Sequence, residues 1–286
     1  MRTESSRTWL ITGGSRGLGR AFAEAALDAG DRVATVSRTT ASLDELRARH
    51  DGRLITLTAD VTDRAAVFAA VEEAARRLGR LDIVVNNAGT MAMGMIEEFS
   101  EAEARAAMET NFFGALWVGQ AVMPVLREQH GGHIVQISSI GALGGYPSTG
   151  LYSASKFALE GMSEALAAEA AHFGVRLTIV EPGGYWTDLY TAMHTATADP
   201  SYAGLRAELE KQWAEGSVDS HPRLAAEALM KLVDSEEPPL RLLLGSAVYD
   251  MAVEVSNARL RTWAAWEETS RAAEHAIPQP QPQPQR

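Results

Sequence analysis

The chain has 286 residues, 46% of them hydrophobic, with 26 Lys and Arg against 37 Asp and Glu and a formal net charge of −11. That content supports a large buried core, and the acidic balance argues against general affinity for nucleic acid or anionic lipid, which need basic patches. The absence of cysteine excludes a disulfide framework, a thiolate metal site and a cysteine nucleophile, and it suits a reducing cytoplasm.

The chain opens on a polar lead, MRTESSRT, and neither there nor later is an apolar run long enough for a signal-peptide core or a membrane span. Short β-rich runs then alternate with helical patterns. Strands are expected at Thr8–Thr12, Arg32–Val36, Leu54–Thr58, Leu81–Val85, His133–Ser138, Arg176–Val180 and Leu240–Leu244. Helices are expected at Leu18–Ala29, Ser42–Arg49, Arg64–Leu78, Glu101–Glu128, Tyr152–Phe173 and Pro222–Val233. Runs such as DIVVN and GHIVQIS are continuously apolar, as strands buried on both faces of a parallel sheet require. The alternation predicts one doubly wound, Rossmann-type α/β domain over residues 1–276, with a mainly parallel sheet of about seven strands and helices on both faces.

Two segments fall outside that rhythm. Residues 184–219 form a long insertion after the sixth strand, where doubly wound sheets place lids over their sites. Residues 246–276 read as an additional C-terminal helix whose Val248, Met251, Val255, Leu260, Trp263 and Trp266 pack on the same subunit or on a neighbour. The tail 277–286, IPQPQPQPQR, lacks backbone donors at every second position and is expected to be disordered or polyproline-like.

Directly after the first strand comes Thr12-Gly13-Gly14-Ser15-Arg16-Gly17-Leu18-Gly19. Gly13, Gly17 and Gly19 allow a tight turn and close approach to a pyrophosphate, which the following helix N-terminus would hold on its free N–H groups. A dinucleotide site usually carries an acid near the end of the second strand; here Ser37 and Arg38 stand there instead. With Arg16 inside the loop, two guanidiniums are available for a 2′-phosphate, so NADP(H) is expected over NAD(H).

The stretch Tyr152-Ser-Ala-Ser-Lys156 puts a phenol and an ammonium four residues apart, on one face of a helix. The cation favours the phenolate, and a tyrosine so tuned can move protons near neutral pH. Taken alone, the spacing also fits ordinary amphipathic decoration.

The ordered set TGGSRGLG at 12–19, Asp60-Val61, NNAG at 86–89, Asn111, Ser139, YSASK at 152–156 and PGGYWT at 182–187 resembles the short-chain dehydrogenase/reductase superfamily from about Thr8 to Thr187. The resemblance implies Tyr152 as general acid/base and Lys156 as the group that lowers its pKa and binds the nicotinamide ribose. It implies Ser139, thirteen positions before the tyrosine, as the hydrogen-bond partner of the substrate oxygen, and Asn111 as the anchor of a water that passes protons to Lys156. It further implies cofactor contacts from Gly13, Ser15, Arg16, Gly17, Leu18, Gly19, Ser37 and Arg38. Asp60 would meet the adenine amino group and Val61 its ring. Asn87, Ala88, Gly89, Pro182 and Gly183 would line the cofactor, and Thr187 would hold the carboxamide. Asn111 is also a poor helix former inside a predicted helix, which makes a kink there a second expectation.

Tyr185 and Trp186 depart from the small side chains usual in that superfamily; they either pack the lid or narrow the pocket. Met91, Met93 and Met95 suit an adaptable apolar pocket or core packing equally. His133, His172 and His194 have no ligand spacing, so no metal is expected. The expected activity is NADP(H)-dependent reduction of an apolar or bulky ketone or aldehyde, or oxidation of a secondary alcohol. The same fold also supports dehydration, epimerisation, imine reduction or a dinucleotide-sensing role without turnover. A homodimer or homotetramer is expected through the helices 101–128 and 152–173.

Overall fold

The computed structural model describes residues 6–189, 192–216 and 219–274. In chain order, the first half contains β1 (Thr8–Thr12), α1 (Gly17–Asp28), β2 (Arg32–Ser37), α2 (Asp44–Arg49), β3 (Leu54–Thr58), α3 (Arg64–Leu78) and β4 (Ile83–Asn86). Next come β5 (Ala92–Met93), α4 (Glu101–Met108), a π-turn at Glu109–Phe113, α5 (Gly114–Glu128), β6 (Gly132–Ile137), α6 (Gly150–Ala171) and β7 (Val175–Pro182). The rest is β8 (His194–Thr195), α7 (Ala203–Gly216), α8 (Pro222–Val233), β9 (Arg241–Leu244), α9 (Ser246–Ala265) and α10 (Glu267–Ala272).

Seven strands form one parallel sheet in the order β3-β2-β1-β4-β6-β7-β9. The chain winds outward from β1 to β3, then crosses back to lay β4 against the other edge of β1. That reversal opens a crevice beyond the carboxyl ends of β1 and β4, the general ligand position of open α/β sheets.

Side-chain alternation along each strand feeds two cores. Trp9 and Ile11 enter one face, packing with Phe22 and Leu27 of α1 and Leu229 of α8. Leu10 enters the opposite face with Val71 of α3 and Val122 and Leu126 of α5. Helix boundaries follow local chemistry: Asp63 caps α3 by accepting from the Ala66 N–H, and Gly79 ends it at φ +85°.

Four segments differ from the expected elements or add to them. The helix 101–128 runs without a gap but takes π geometry at Glu109–Phe113, around the Asn111 at which a kink was expected, and the Asn111 carboxamide bonds the neighbouring loop. The predicted helix 42–49 opens as a 3₁₀ turn at Ala41–Leu43 and becomes α-helical only at Asp44. The insertion 184–219 holds the two-residue strand β8, paired to β5, and the helix α7, elements too short or too evenly polar to show a period. The C-terminal helix ends at Ala265 and restarts at Glu267. Only Val248 of α9 is buried, whereas Tyr249, Leu260, Trp263 and Trp266 are 61%, 57%, 64% and 62% exposed. The tail 277–286 lies outside the described residues.

Candidate active site

The glycine loop is clasped to the end of β4 by a side chain the sequence reading left as one letter of a motif. The Thr12 hydroxyl accepts from the Asn87 and Ala88 N–H groups at 3.0 and 3.1 Å, and the Asn87 carboxamide donates to the Thr12 carbonyl at 3.0 Å. The only signal for this clasp was a hydroxyl at a strand end. Gly13 and Gly17 sit at φ +66° and +55°, the left-handed region that glycine enters without penalty. Arg16 at the start of α1 is extended and no side chain caps the helix, so the first-turn N–H groups keep their capacity for an anion.

Beside this turn lies a cleft of about 350 Å³ lined by Ser15, Arg16, Arg20, Thr39, Ser42 and Asp188. Arg38 is exposed and is not among the lining residues, whereas Asp188, at the start of the insertion, is. Ser37 is buried and its hydroxyl has no hydrogen-bond partner among the described residues, a vacancy that a ribose hydroxyl fits. Asp60 accepts from the Thr62 N–H and hydroxyl through Oδ1, and Val61 is buried against Gly114. Leu18 packs on the first core. At the other wall, the Gly183 N–H donates to the Leu244 carbonyl just beyond Pro182, and Thr187 lies against Gly17, which brings the start of the insertion onto the glycine loop.

The four candidate catalytic residues converge from three elements. Tyr152 and Lys156 lie on one face of α6 and are both buried. The Lys156 ammonium donates to the Ile137 carbonyl at 2.9 Å and stands 5.7 Å from the centroid of the Tyr152 ring. Burial pushes this ammonium down to about 8, and the Glu160 carboxylate opposes the fall. Ser139 follows β6; its Oγ accepts from the Gly141 N–H at 3.0 Å. Gly141 separates Ser139 from Tyr152, since a Cβ added there would stand 3.2 Å from two ring carbons and 3.5 Å from the Ser139 Oγ. Asn111, buried in the π-turn, accepts from the Thr90 N–H at 2.8 Å and donates to the Thr90 carbonyl and the Ser155 hydroxyl, each at 2.9 Å. Gly89 completes the floor, its backbone close to both Asn111 and Lys156. Ser155 lies inside YSASK but its spacing announces no role, and Glu160 lies one turn beyond the motif, so neither stood out in the sequence.

The two aromatics of PGGYWT part company: Tyr185 joins the first core, while the Trp186 side chain is 75% exposed. Met91 and Met93 take their backbone to the insertion, accepting from the His194 and Ala196 N–H groups at 2.9 Å. Met95 is buried. The three histidines lie apart, with His133 buried on Thr178, His172 ending α6 and His194 on Glu103. Among the described residues no three metal-ligating side chains gather, and no helix is long and apolar enough to cross a membrane.

Residues 7–198 match the sequence family described as short chain dehydrogenase. Oxidoreductase BOA17 of Botryotinia fuckeliana is 37% identical, over 94% of this chain and 99% of that protein. The 3-ketodihydrosphingosine reductase of Bacteroides thetaiotaomicron is 36% identical, over 89% and 91%. The solved short-chain dehydrogenase of Streptomyces avermitilis superposes with a TM-score of 0.89 at 37% identity, covering 96% of this chain and all of that one. Other solved neighbours hold NADP in one case and NAD in another.

Proposed function

The chain belongs to the short-chain dehydrogenase family, and on that premise we propose that it is an NADP(H)-dependent carbonyl reductase or alcohol dehydrogenase acting on an apolar or bulky ketone or the matching secondary alcohol. The observation that carries this reading is the placement of Tyr152 between the Lys156 ammonium and, across Gly141, the Ser139 hydroxyl.

In the reducing direction Tyr152 donates its phenolic proton to the substrate oxygen as charge develops there, and the neighbouring ammonium stabilises the phenolate left behind. Ser139 already accepts from Gly141 through its oxygen, so its own hydrogen is available to donate to the same substrate oxygen. Lys156, fixed by Ile137, also has protons to offer a ribose hydroxyl. Asn111 fixes Ser155 and Thr90 beneath them. In the oxidising direction Tyr152 takes the alcohol proton. The nicotinamide, when bound, supplies or accepts the hydride.

Support for a dinucleotide comes from the uncapped turn of α1 and the unpartnered Ser37 hydroxyl. The absence of a carboxylate at the end of β2, with Arg16 and Arg20 in the adjoining cleft, favours the 2′-phosphate of NADP(H). The relative named 3-ketodihydrosphingosine reductase has a ketone in its name, which supports the substrate class. We assign the enzyme to the cytoplasm as a homodimer or homotetramer; the lack of cysteine and the exposed Trp263 and Trp266 support these two points respectively.

The test is a panel of ketones, aldehydes and secondary alcohols followed by NADPH absorbance, with NADH as control and Tyr152→Phe as comparison. Turnover on a carbonyl, lowered by about 10²–10⁴-fold in Tyr152→Phe while NADPH binding persists, is expected. Undiminished turnover in that variant, with the chemical step limiting, overturns the assignment.

A further inference from the structure

The face of α6 that carries Tyr152 and Lys156 does not end there. One turn on, in the same i, i+4, i+8 series, stands Glu160, buried like the other two. Its Oε1 accepts from the Ser138 hydroxyl at 2.5 Å, and its Oε2 pairs with the Arg241 guanidinium from β9. The strand end therefore meets the helix twice in succession, the Ile137 carbonyl taking Lys156 and the Ser138 hydroxyl donating to Glu160, and the next residue is Ser139.

A buried carboxylate is costly unless it is paired and hydrogen-bonded, and one that serves only packing is better replaced by an apolar side chain. Around Lys156 the charged groups are few. Tyr152 and Glu160 share its helix, and beyond Glu160 the Arg241 guanidinium also pairs with Glu181 of β7 at 2.5 Å and Glu164 of α6 at 2.6 Å. Of these groups Glu160, one helical turn from Lys156 on the same face, is the one whose charge opposes the effect of burial on the ammonium.

We propose that Glu160 is a positioning residue of this site: its carboxylate keeps the buried Lys156 ammonium charged and, through Ser138, fixes the strand end that presents Ser139. Arg241 holds Glu160 in place from the edge strand, so β9 contributes to the site without touching it. The proposal rests on the roles given above to Lys156 and Ser139.

Lysine titration tests it without needing turnover. The chain has three lysines, Lys156, Lys211 and Lys231, and the last two are exposed, so labelled lysine gives one buried signal, assigned by its loss in Lys156→Arg. In wild type the Lys156 signal should titrate near 8. In Glu160→Gln, which keeps the shape and leaves Arg241 paired with Glu181 and Glu164, the midpoint should fall by about one pH unit. Glu160→Asp, which withdraws the same charge by one methylene, should give an intermediate midpoint and carries the test if the glutamine variant does not fold. A Lys156 midpoint unchanged from wild type in either variant overturns the proposal. The alkaline limb of carbonyl reduction should follow the same order. Failure of the carbonyl-reduction reading would instead appear as wild type without turnover, with the lysine titration still legible.

Discussion

Gly141 lies flat against the Tyr152 ring, so close that a Cβ at this position would stand 3.2 Å from both Cδ1 and Cε1. Its φ is not left-handed, so backbone strain is not the reason for glycine here. The reason is contact: a methyl group must push the ring or the Ser139 hydroxyl, 3.5 Å away, by a few tenths of an ångström. Gly141→Ala should therefore leave thermal stability nearly unchanged and lower kcat/KM for carbonyl reduction by about tenfold, because misplacement of acid groups is felt steeply. Steady-state kinetics beside a melting curve check this. Wild-type kcat/KM in a folded alanine variant would show that the spacing carries no function.

The buried ammonium of Lys156 sets up a trade between stability and activity. Its proton affinity is lower in the folded chain, at about 8, than the ordinary 10.5. Below pH 8 the folded and unfolded chains both carry the proton, and the full cost of burying the charge is present. Between 8 and 10.5 the folded chain binds fewer protons, so stability rises with pH, and above that range the cost is gone. At pH 7 the cost is about 3 kcal/mol. Lys156→Met should raise stability at pH 7 by about 1–2 kcal/mol, less than the full cost because the Ile137 carbonyl loses its donor. That advantage should shrink toward pH 10, and turnover should be lost throughout. Urea titrations at pH 7 and pH 10 supply the comparison; a methionine variant less stable than wild type at pH 7 contradicts the account.

Much of this was readable from the amino-acid sequence because strands buried on both faces announce themselves. TWLIT, buried at every position, was located to the residue, and so was the edge strand LITLT, which its leucines and β-branched residues mark although its last three positions are half-buried or exposed. The motif residues are brought together because their spacing is tied to strand ends and one helix face. What escaped reading was chemistry without local periodicity. Nothing in the neighbourhood of Thr12 says that its hydroxyl will clasp Asn87, 75 positions away. Arg241 is distant from Glu160 in the chain, so a buried ion pair between α6 and β9 leaves no trace in either segment. Arg38 shows a related gap: which way a strand-end side chain turns is settled by the loop that follows, so its place after β2 does not by itself say what it meets.

Cofactor preference should divide unequally between the two arginines. Arg16 lines the cleft beside Ser15 and Thr39, whereas Arg38 is exposed and outside it. Arg16→Ala should weaken NADPH binding by about 10–100-fold and NADH binding little, as loss of a charge-assisted bond to a phosphate implies. Arg38→Ala should have the smaller effect. Asp188 shares the cleft, so Asp188→Asn should strengthen NADPH selectively by removing a like charge. Calorimetry with both cofactors decides the order. Equal NADPH affinity in Arg16→Ala and wild type, or parallel losses for NADPH and NADH, would place the phosphate elsewhere.

His133 gives the fold an acid-side weakness of its own. It is fully buried on β6, where its Nε2 lies 3.0 Å from the Thr178 hydroxyl. That hydroxyl donates to the Pro239 carbonyl at 2.7 Å, so it can only accept from the ring, which fixes the proton on Nε2. Nδ1 is buried without a partner, and a second proton there would be a buried charge. Burial first, and the Arg176 charge second, push the imidazole down to about 4 from its ordinary 6.5. The unfolded chain therefore takes up a proton as pH falls through 6.5, while the folded chain resists until about 4. Stability from this group is full above 6.5, is lost progressively between the two values and changes no further below 4. The loss amounts to about 3 kcal/mol. His133→Gln retains an N–H for Thr178 but cannot titrate, so it should be less stable than wild type at pH 7 and lose less between pH 7 and pH 4.5. Other carboxylates titrate equally in both proteins and cancel in the difference. Parallel urea midpoints for the two across that interval would mean that His133 is protonated in the folded chain or replaceable without consequence.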